Sequence, residues 1–161
     1  MAVTSDIVAT YGGPGRVMHR MLATGKREDR ALVFLMLGCL VMFISQMPRL
    51  SRLAYLTGQD LNMLLGGALL GWLFLAPLGF YTLAGLSHLV ARLMGGKGSG
   101  YGARLALFWA FLATSPLVLL HGLVAGFVGP GPGLQGIGAI WLVAFLWFWL
   151  SGLRQAQRLV E

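Results

Sequence analysis

Residues 61–90 read LNMLLGGALLGWLFLAPLGFYTLAGLSHLV and contain no Lys, Arg, Asp or Glu. Residues 31–47, 105–128 and 137–153 share this property. A charged side chain at the centre of a membrane span costs about 2.5–3.5 kcal/mol, and a span needs about 20 apolar residues. The four stretches therefore predict an all-α polytopic membrane protein with four transmembrane helices.

The composition agrees with this class. The 161 residues are 57% hydrophobic and 11% charged, whereas soluble domains are about 45–50% apolar and about 25% charged. The net charge of +7 suits a lipid bilayer with anionic lipids, and no basic run or RNA motif indicates a nucleic-acid partner. Cys39 is the only cysteine, which excludes an intrachain disulfide and a site built from several thiolates.

The length of residues 61–90 raises the alternative of two spans, because Pro77 lies near the middle. Cytoplasmic segments of membrane proteins carry an excess of Lys and Arg. With four spans and a cytoplasmic N-terminus, ten basic residues lie inside and two outside; with five spans, five lie inside and seven outside. The distribution favours four spans with both termini cytoplasmic, and we expect the bacterial inner (cytoplasmic) membrane as the location.

This topology divides the chain into three parts. We expect residues 1–30 to form a cytoplasmic N-terminal segment, residues 31–153 the four-helix transmembrane domain and residues 154–161 a cytoplasmic tail. In the first segment Pro14 suits the start of a helix. The spacing there predicts a short amphipathic interfacial helix, which lies on the membrane or, equally, on the protein's own surface. The residues that define its two faces include Arg16, Val17, Arg20 and Met21.

Two pairs of small residues and two prolines are the candidates for special helix geometry. Gly67-x-x-x-Gly71 and Gly122-x-x-x-Gly126 have the spacing that allows helices to approach closely, and we expect them to pack within the chain rather than in a dimer. Pro77 and Pro116 are candidate helix kinks, since proline removes a backbone hydrogen bond. Asp60 is the candidate N-cap for the second span.

A search for catalytic chemistry finds no matching set of residues. No carboxylate lies in a predicted span. His88 and His121 differ in predicted depth by roughly 20 Å, so they cannot hold one haem between them. Residues 95–100 are rich in glycine but lack the Gly-Lys-[Ser/Thr] ending of a P-loop. We therefore expect no enzyme activity, no cofactor and no metal site.

The order of features resembles short bacterial members of the Yip family, named for Ypt-interacting proteins of membrane traffic. The proline-led start at residues 14–22 resembles the family's amphipathic start. The glycine loop at residues 95–99 and the helix with a proline at residues 104–116 resemble its central part. Ile140-Trp141 and Gly152-Leu153-Arg154 resemble its closing span. The family is usually described with five spans, whereas four are predicted in this chain.

The resemblance implies no catalytic residues. Eukaryotic relatives bind small Rab-type GTPases, but the short cytoplasmic segments of this chain carry no motif for that role. We expect a non-enzymatic, Yip-like scaffold, assembly factor or accessory subunit that acts through helix–helix contacts. Its partner would be another membrane protein or a second copy. The alternative is a small membrane transporter or channel, because proline-interrupted helices often line transport sites.

Overall fold

A computed structural model describes residues 3–158, and within this range the regular secondary structure is helical, with no strand. The all-α prediction is therefore confirmed. The helices are α1 Val3–Gly12, α2 Pro14–Ala23, α3 Glu28–Thr57, α4 Leu61–Leu70, α5 Ala76–Leu93, α6 Gly100–Ala113, α7 Ser115–Phe127 and α8 Pro132–Arg158, with a π-helical turn at Gly71–Leu75 between α4 and α5.

Three to four of these elements are candidate membrane spans. Glu28–Thr57, Leu61–Leu93 and Pro132–Arg158 are each long and apolar enough to cross a bilayer. Helices α6 and α7 are bent by 44° at their junction and make a fourth candidate if they count as one span. The prediction of helices long and apolar enough to span a membrane is confirmed, and the predicted number of four is the upper value of this range.

The second span, Leu61–Leu93, is one helix in spite of Pro77. Proline has no N–H to donate and clashes with the preceding turn of an α-helix. The π-helical turn lies directly before α5, and Pro77 occupies the first turn of α5, where such a register change accommodates it. Asp60 caps the start of this span, as predicted, because its carboxylate accepts a hydrogen bond of 3.0 Å from the Asn62 N–H.

Helix α6 forms the centre of the bundle. Twelve of its 14 residues are buried, and it contacts α1, α3, α5 and α8. Aromatic side chains fill these contacts: Phe34 lies 4.9 Å from Trp109, and Phe80 lies 4.3 Å from Phe111, between ring centroids. The second span is peripheral by comparison, since Ala84 is the only buried residue described in it.

The N-terminal helices α1 and α2 pack against the bundle. Residues 3–12 form a helix that the sequence did not predict, and α2 follows it after Gly13. Val17, Met18 and Met21 are buried, and α2 contacts α8. The apolar face of α2 therefore lies against the protein's own surface in this structure.

The two ends of the bundle differ in their charged contacts. Arg104 at the start of α6 pairs with Glu28 at the start of α3, with 3.1 Å between Nε and Oε2. The Gly98 N–H donates to the side-chain oxygen (Oε1) of Gln157 at 2.8 Å. We call the end of the bundle that holds these contacts the basic end. The other end, which holds the α3–α4 and α7–α8 loops, is the opposite end. The basic end carries Arg30, Arg92, Lys97, Arg104, Arg154 and Arg158.

Candidate functional site: an open groove beside the second span

Gly122 and Gly126 lie where α7 crosses α3. A Cβ added at Gly122 would collide with the carbonyl group of Ser45, whose carbon lies 2.8 Å away. A Cβ at Gly126 would collide with Pro48, whose carbonyl carbon lies 2.7 Å away. The missing side chains therefore allow the two backbones to approach closely, which is the use of small residues in membrane helices.

Gly67 and Gly71 show no such approach. A Cβ added at either position would meet no heavy atom within 4 Å outside its own helix. Both glycines line a surface groove of ≈ 640 Å³ between α3 and the second span. Two glycine pairs with the same spacing thus have different surroundings, one closed by a neighbouring helix and the other open.

Small and apolar side chains form most of the groove, and its polar groups come from α3. The Arg49 Nε donates to the Gln46 side-chain oxygen at 3.1 Å, and neither residue forms an ion pair among residues 3–158. The groove is lined by Gln46, Arg49, Leu50, Met63, Leu64, Gly67, Ala68, Gly71, Trp72, Leu75 and Ala76. A surface of this kind accepts a helix closely and offers one cation and one amide at its edge.

A smaller cavity of ≈ 260 Å³ adjoins the groove and shares Gln46 and Trp72 with it. Its other polar lining groups are Ser45, His121 and Trp141. The Ser45 hydroxyl already donates to the Met42 carbonyl at 2.6 Å. The Trp141 Nε1 is buried and has no acceptor among the described residues. The cavity is therefore lined by an imidazole and by an indole whose N–H is buried without an acceptor.

The two histidines weighed as haem ligands lie in different parts of the bundle. A Cβ added at Gly100 would lie 3.9 Å from the His88 ring at the basic end. A Cβ added at Gly138 would lie 3.6 Å from the His121 ring, near the start of α8. In the described part of the chain, no three His, Cys, Asp or Glu residues are grouped to hold a metal ion.

Pro116 lies at the bend between α6 and α7. It occupies the first turn of α7, and the Leu117 N–H bonds to the Thr114 carbonyl at 3.1 Å instead of continuing the α6 ladder. The Ala113 carbonyl accepts a 2.8 Å hydrogen bond from the Tyr11 hydroxyl. Burial raises the pKa of Tyr11 above its ordinary value of 10.0, so the phenol is a donor at neutral pH.

The residues singled out on α2 lie on two faces, as their spacing predicts. Val17 and Met21 are buried, whereas Arg16 and Arg20 are exposed. Arg20 pairs with Asp6 of α1, and the Arg16 guanidinium donates to the Gly12 carbonyl at 3.3 Å. The charged face therefore ties α2 to α1, while the apolar face joins the bundle.

Comparisons with known proteins add no relative to these observations: no family model, no curated protein and no solved structure matches the chain.

Proposed function

We propose that the chain is a four-span protein of the bacterial inner membrane with both termini in the cytoplasm. The distribution of Lys and Arg supports this orientation. Ten of the twelve basic residues lie in the parts that this topology places in the cytoplasm, namely the N-terminal segment, residues 92–104 and the end of α8. In this topology the bent pair α6–α7 counts as one span.

The proposed function is that of a non-enzymatic, Yip-like scaffold, assembly factor or accessory subunit. The observation that supports it is the open glycine pair Gly67 and Gly71, set in a groove of ≈ 640 Å³ on the least buried span. In lipid, helices associate by van der Waals packing and hydrogen bonds, and small residues at the interface bring the backbones together. The occupant that fits this groove is a transmembrane helix of another membrane protein.

The rim of the groove supports the same occupant. Arg49 and Gln46 lie at the opposite end of the bundle, where α3 approaches the membrane surface in this topology. A partner helix that ends beside them with a carboxylate or a backbone carbonyl would find a cation and an amide in place. A second copy of this chain is the other occupant to test.

The experiment fills the groove without disturbing the fold. The double variant Gly67→Leu/Gly71→Leu places side chains where nothing lies within 4 Å of a Cβ. Gly66→Leu/Gly79→Leu is the matched control, because both positions are equally open and neither lines the groove. Each protein is purified from the native membrane in mild detergent, and co-purifying proteins are quantified by mass spectrometry.

We expect a stoichiometric partner with the wild type and with the control, and loss of that partner with the groove variant. A wild-type protein that runs alone as a monomer would contradict the proposal. Equal retention of the partner by both double variants would contradict the assignment of the groove. A self-associated wild type that only the groove variant dissociates would identify the occupant as a second copy.

A small transporter or channel is the second candidate, and the cavity beside His121 favours it. Its unpaired Trp141 N–H lies within a candidate span, and broken helices such as α6–α7 often line transport sites. Flux of small polar solutes into proteoliposomes tests this candidate. Flux that His121→Ala abolishes would favour the transporter over the scaffold, and no flux above empty liposomes would exclude it for the solutes tested.

A further inference from the structure

A second surface feature lies at the basic end, between α5 and the end of α8. It is a crevice of ≈ 670 Å³, within the usual range of about 300–1,000 Å³ for ligand sites. Its inner walls are apolar and include Leu86, Val90 and Leu153, and its outer part is lined by Arg154 and Arg158. It shares no lining residue with the groove beside α3.

The unpaired polar groups of the crevice are hydrogen-bond donors. Arg154 and Arg158 form no ion pair with any described residue. The Trp149 Nε1 and the Gln157 Nε2 are buried without an acceptor in residues 3–158. The side-chain oxygen of Gln157 already accepts a hydrogen bond from the Gly98 N–H, so the unpaired group of this side-chain amide is its NH₂ donor. The two guanidinium groups without an ion-pair partner favour an anionic ligand rich in acceptor oxygens.

The length of the crevice fits one leaflet of a bilayer. Along α8 it extends from Trp149 to Arg158, and the nine steps between them correspond to about 14 Å at a rise of 1.5 Å per residue. One leaflet contributes about half of the roughly 30 Å hydrocarbon core. Its arginines lie at the end of the span, where they reach the headgroup region, and its apolar part extends inward.

We propose that this crevice binds an anionic phospholipid of the leaflet at the basic end. An acyl chain lies between α5 and α8, and the phosphate lies against Arg154 and Arg158. Basic pockets between transmembrane helices are known to bind anionic headgroups. This inference is independent of the scaffold function, since it concerns a different surface.

The test is a lipid titration of the purified full-length protein by native mass spectrometry, with phosphatidylglycerol and phosphatidylcholine as probes. Arg154→Gln/Arg158→Gln removes the phosphate contacts. Arg16→Gln/Lys26→Gln is the matched control, because it removes the same charge from exposed N-terminal positions outside the crevice. Ala91→Phe fills the apolar wall and leaves every arginine in place.

We expect the wild type and the control to prefer phosphatidylglycerol. We expect Arg154→Gln/Arg158→Gln to bind it about 10- to 30-fold more weakly, since each basic residue near a membrane surface contributes about 1 kcal/mol. Ala91→Phe should also weaken binding. Equal affinity for the two lipids, an equal loss in the control, or unchanged binding by Ala91→Phe would each overturn the proposal.

Discussion

The Trp109 indole N–H donates a hydrogen bond of 3.0 Å to the Thr10 hydroxyl, 99 positions earlier in the chain. Both side chains are buried. The Thr10 hydroxyl in turn donates to the Asp6 carbonyl at 2.7 Å, so its proton and one lone pair are both used. This bond joins the N-terminal helix α1 to the most buried helix of the bundle.

Thr10→Val keeps the shape of the side chain and removes the acceptor for Trp109. We expect a loss of about 1–3 kcal/mol in the free energy of unfolding, because the indole N–H is then buried without a partner. Unfolding in detergent measures this loss. The single variant Trp109→Phe and the double variant Thr10→Val/Trp109→Phe complete a double-mutant cycle. We expect a coupling energy of about 0.6–1.7 kcal/mol. A value near zero would contradict the Trp109–Thr10 hydrogen bond.

Met18→Ala distinguishes a helix packed on the protein from a helix lying on lipid. Met18 is 1% exposed, so we expect a cavity and a loss of about 2–5 kcal/mol. Val8→Ala is the matched control on α1, since Val8 is 74% exposed and should tolerate the change. A thermal melt in detergent measures both. An unchanged melting temperature for Met18→Ala would favour the membrane-surface position of α2.

Tyr11→Phe removes the donor that satisfies the Ala113 carbonyl at the α6–α7 bend and keeps the edge-to-face contact with Phe148, whose ring centroid lies 5.0 Å away. We expect a loss of about 1–3 kcal/mol, because the carbonyl becomes a buried acceptor without a partner. Tyr55→Phe is the control, since Tyr55 is 88% exposed. Equal thermal stability of the two variants would show that the phenol hydroxyl contributes nothing at the bend.

Substitution by alanine should change the stability of the protein in opposite directions at the two glycine pairs. Gly122→Ala and Gly126→Ala place a Cβ against the backbone of α3, and such overpacking costs about 1–3 kcal/mol. Gly67→Ala and Gly71→Ala meet no neighbour and should leave stability unchanged or raise it, since alanine is the better helix former. The order of the four melting temperatures checks the assignment, and destabilisation by Gly67→Ala would contradict an open groove in the isolated protein.

The sequence predicts the long apolar helices well, because a bilayer excludes charged side chains from the helices that cross it. Absence of charge over 17 or more residues fixes where apolar helices lie, and residues 61–90 fall within one helix, Leu61–Leu93. The helix at residues 3–12 was not predicted, because its mixture of apolar and hydroxyl side chains has no clear helical period. Pro14 indicated only the helix that follows it, and α1 itself packs on α6 and α8.

The candidate site was predicted only in part. Spacing alone identifies Gly67, Gly71, Gly122 and Gly126 as small residues on helix faces, but it cannot show which face has a neighbour. That depends on how α3 packs, and it packs on α7 at Ser45 and Pro48 and leaves the side facing α4 open. The crevice at the end of α8 was not predicted either, since Ser87, Trp149 and Arg154 come together only through the fold.

Cross-linking within the native membrane tests the scaffold function most directly. A photoreactive amino acid at Ala68, in the groove, is compared with the same amino acid at Val143, on the exposed face of α8. We predict that Ala68 forms one discrete, stoichiometric cross-link to a membrane protein, that Val143 does not, and that Gly71→Leu abolishes the product. Cross-linking of Ala68 to lipid alone, or the same products from both positions, would contradict a helix-docking scaffold.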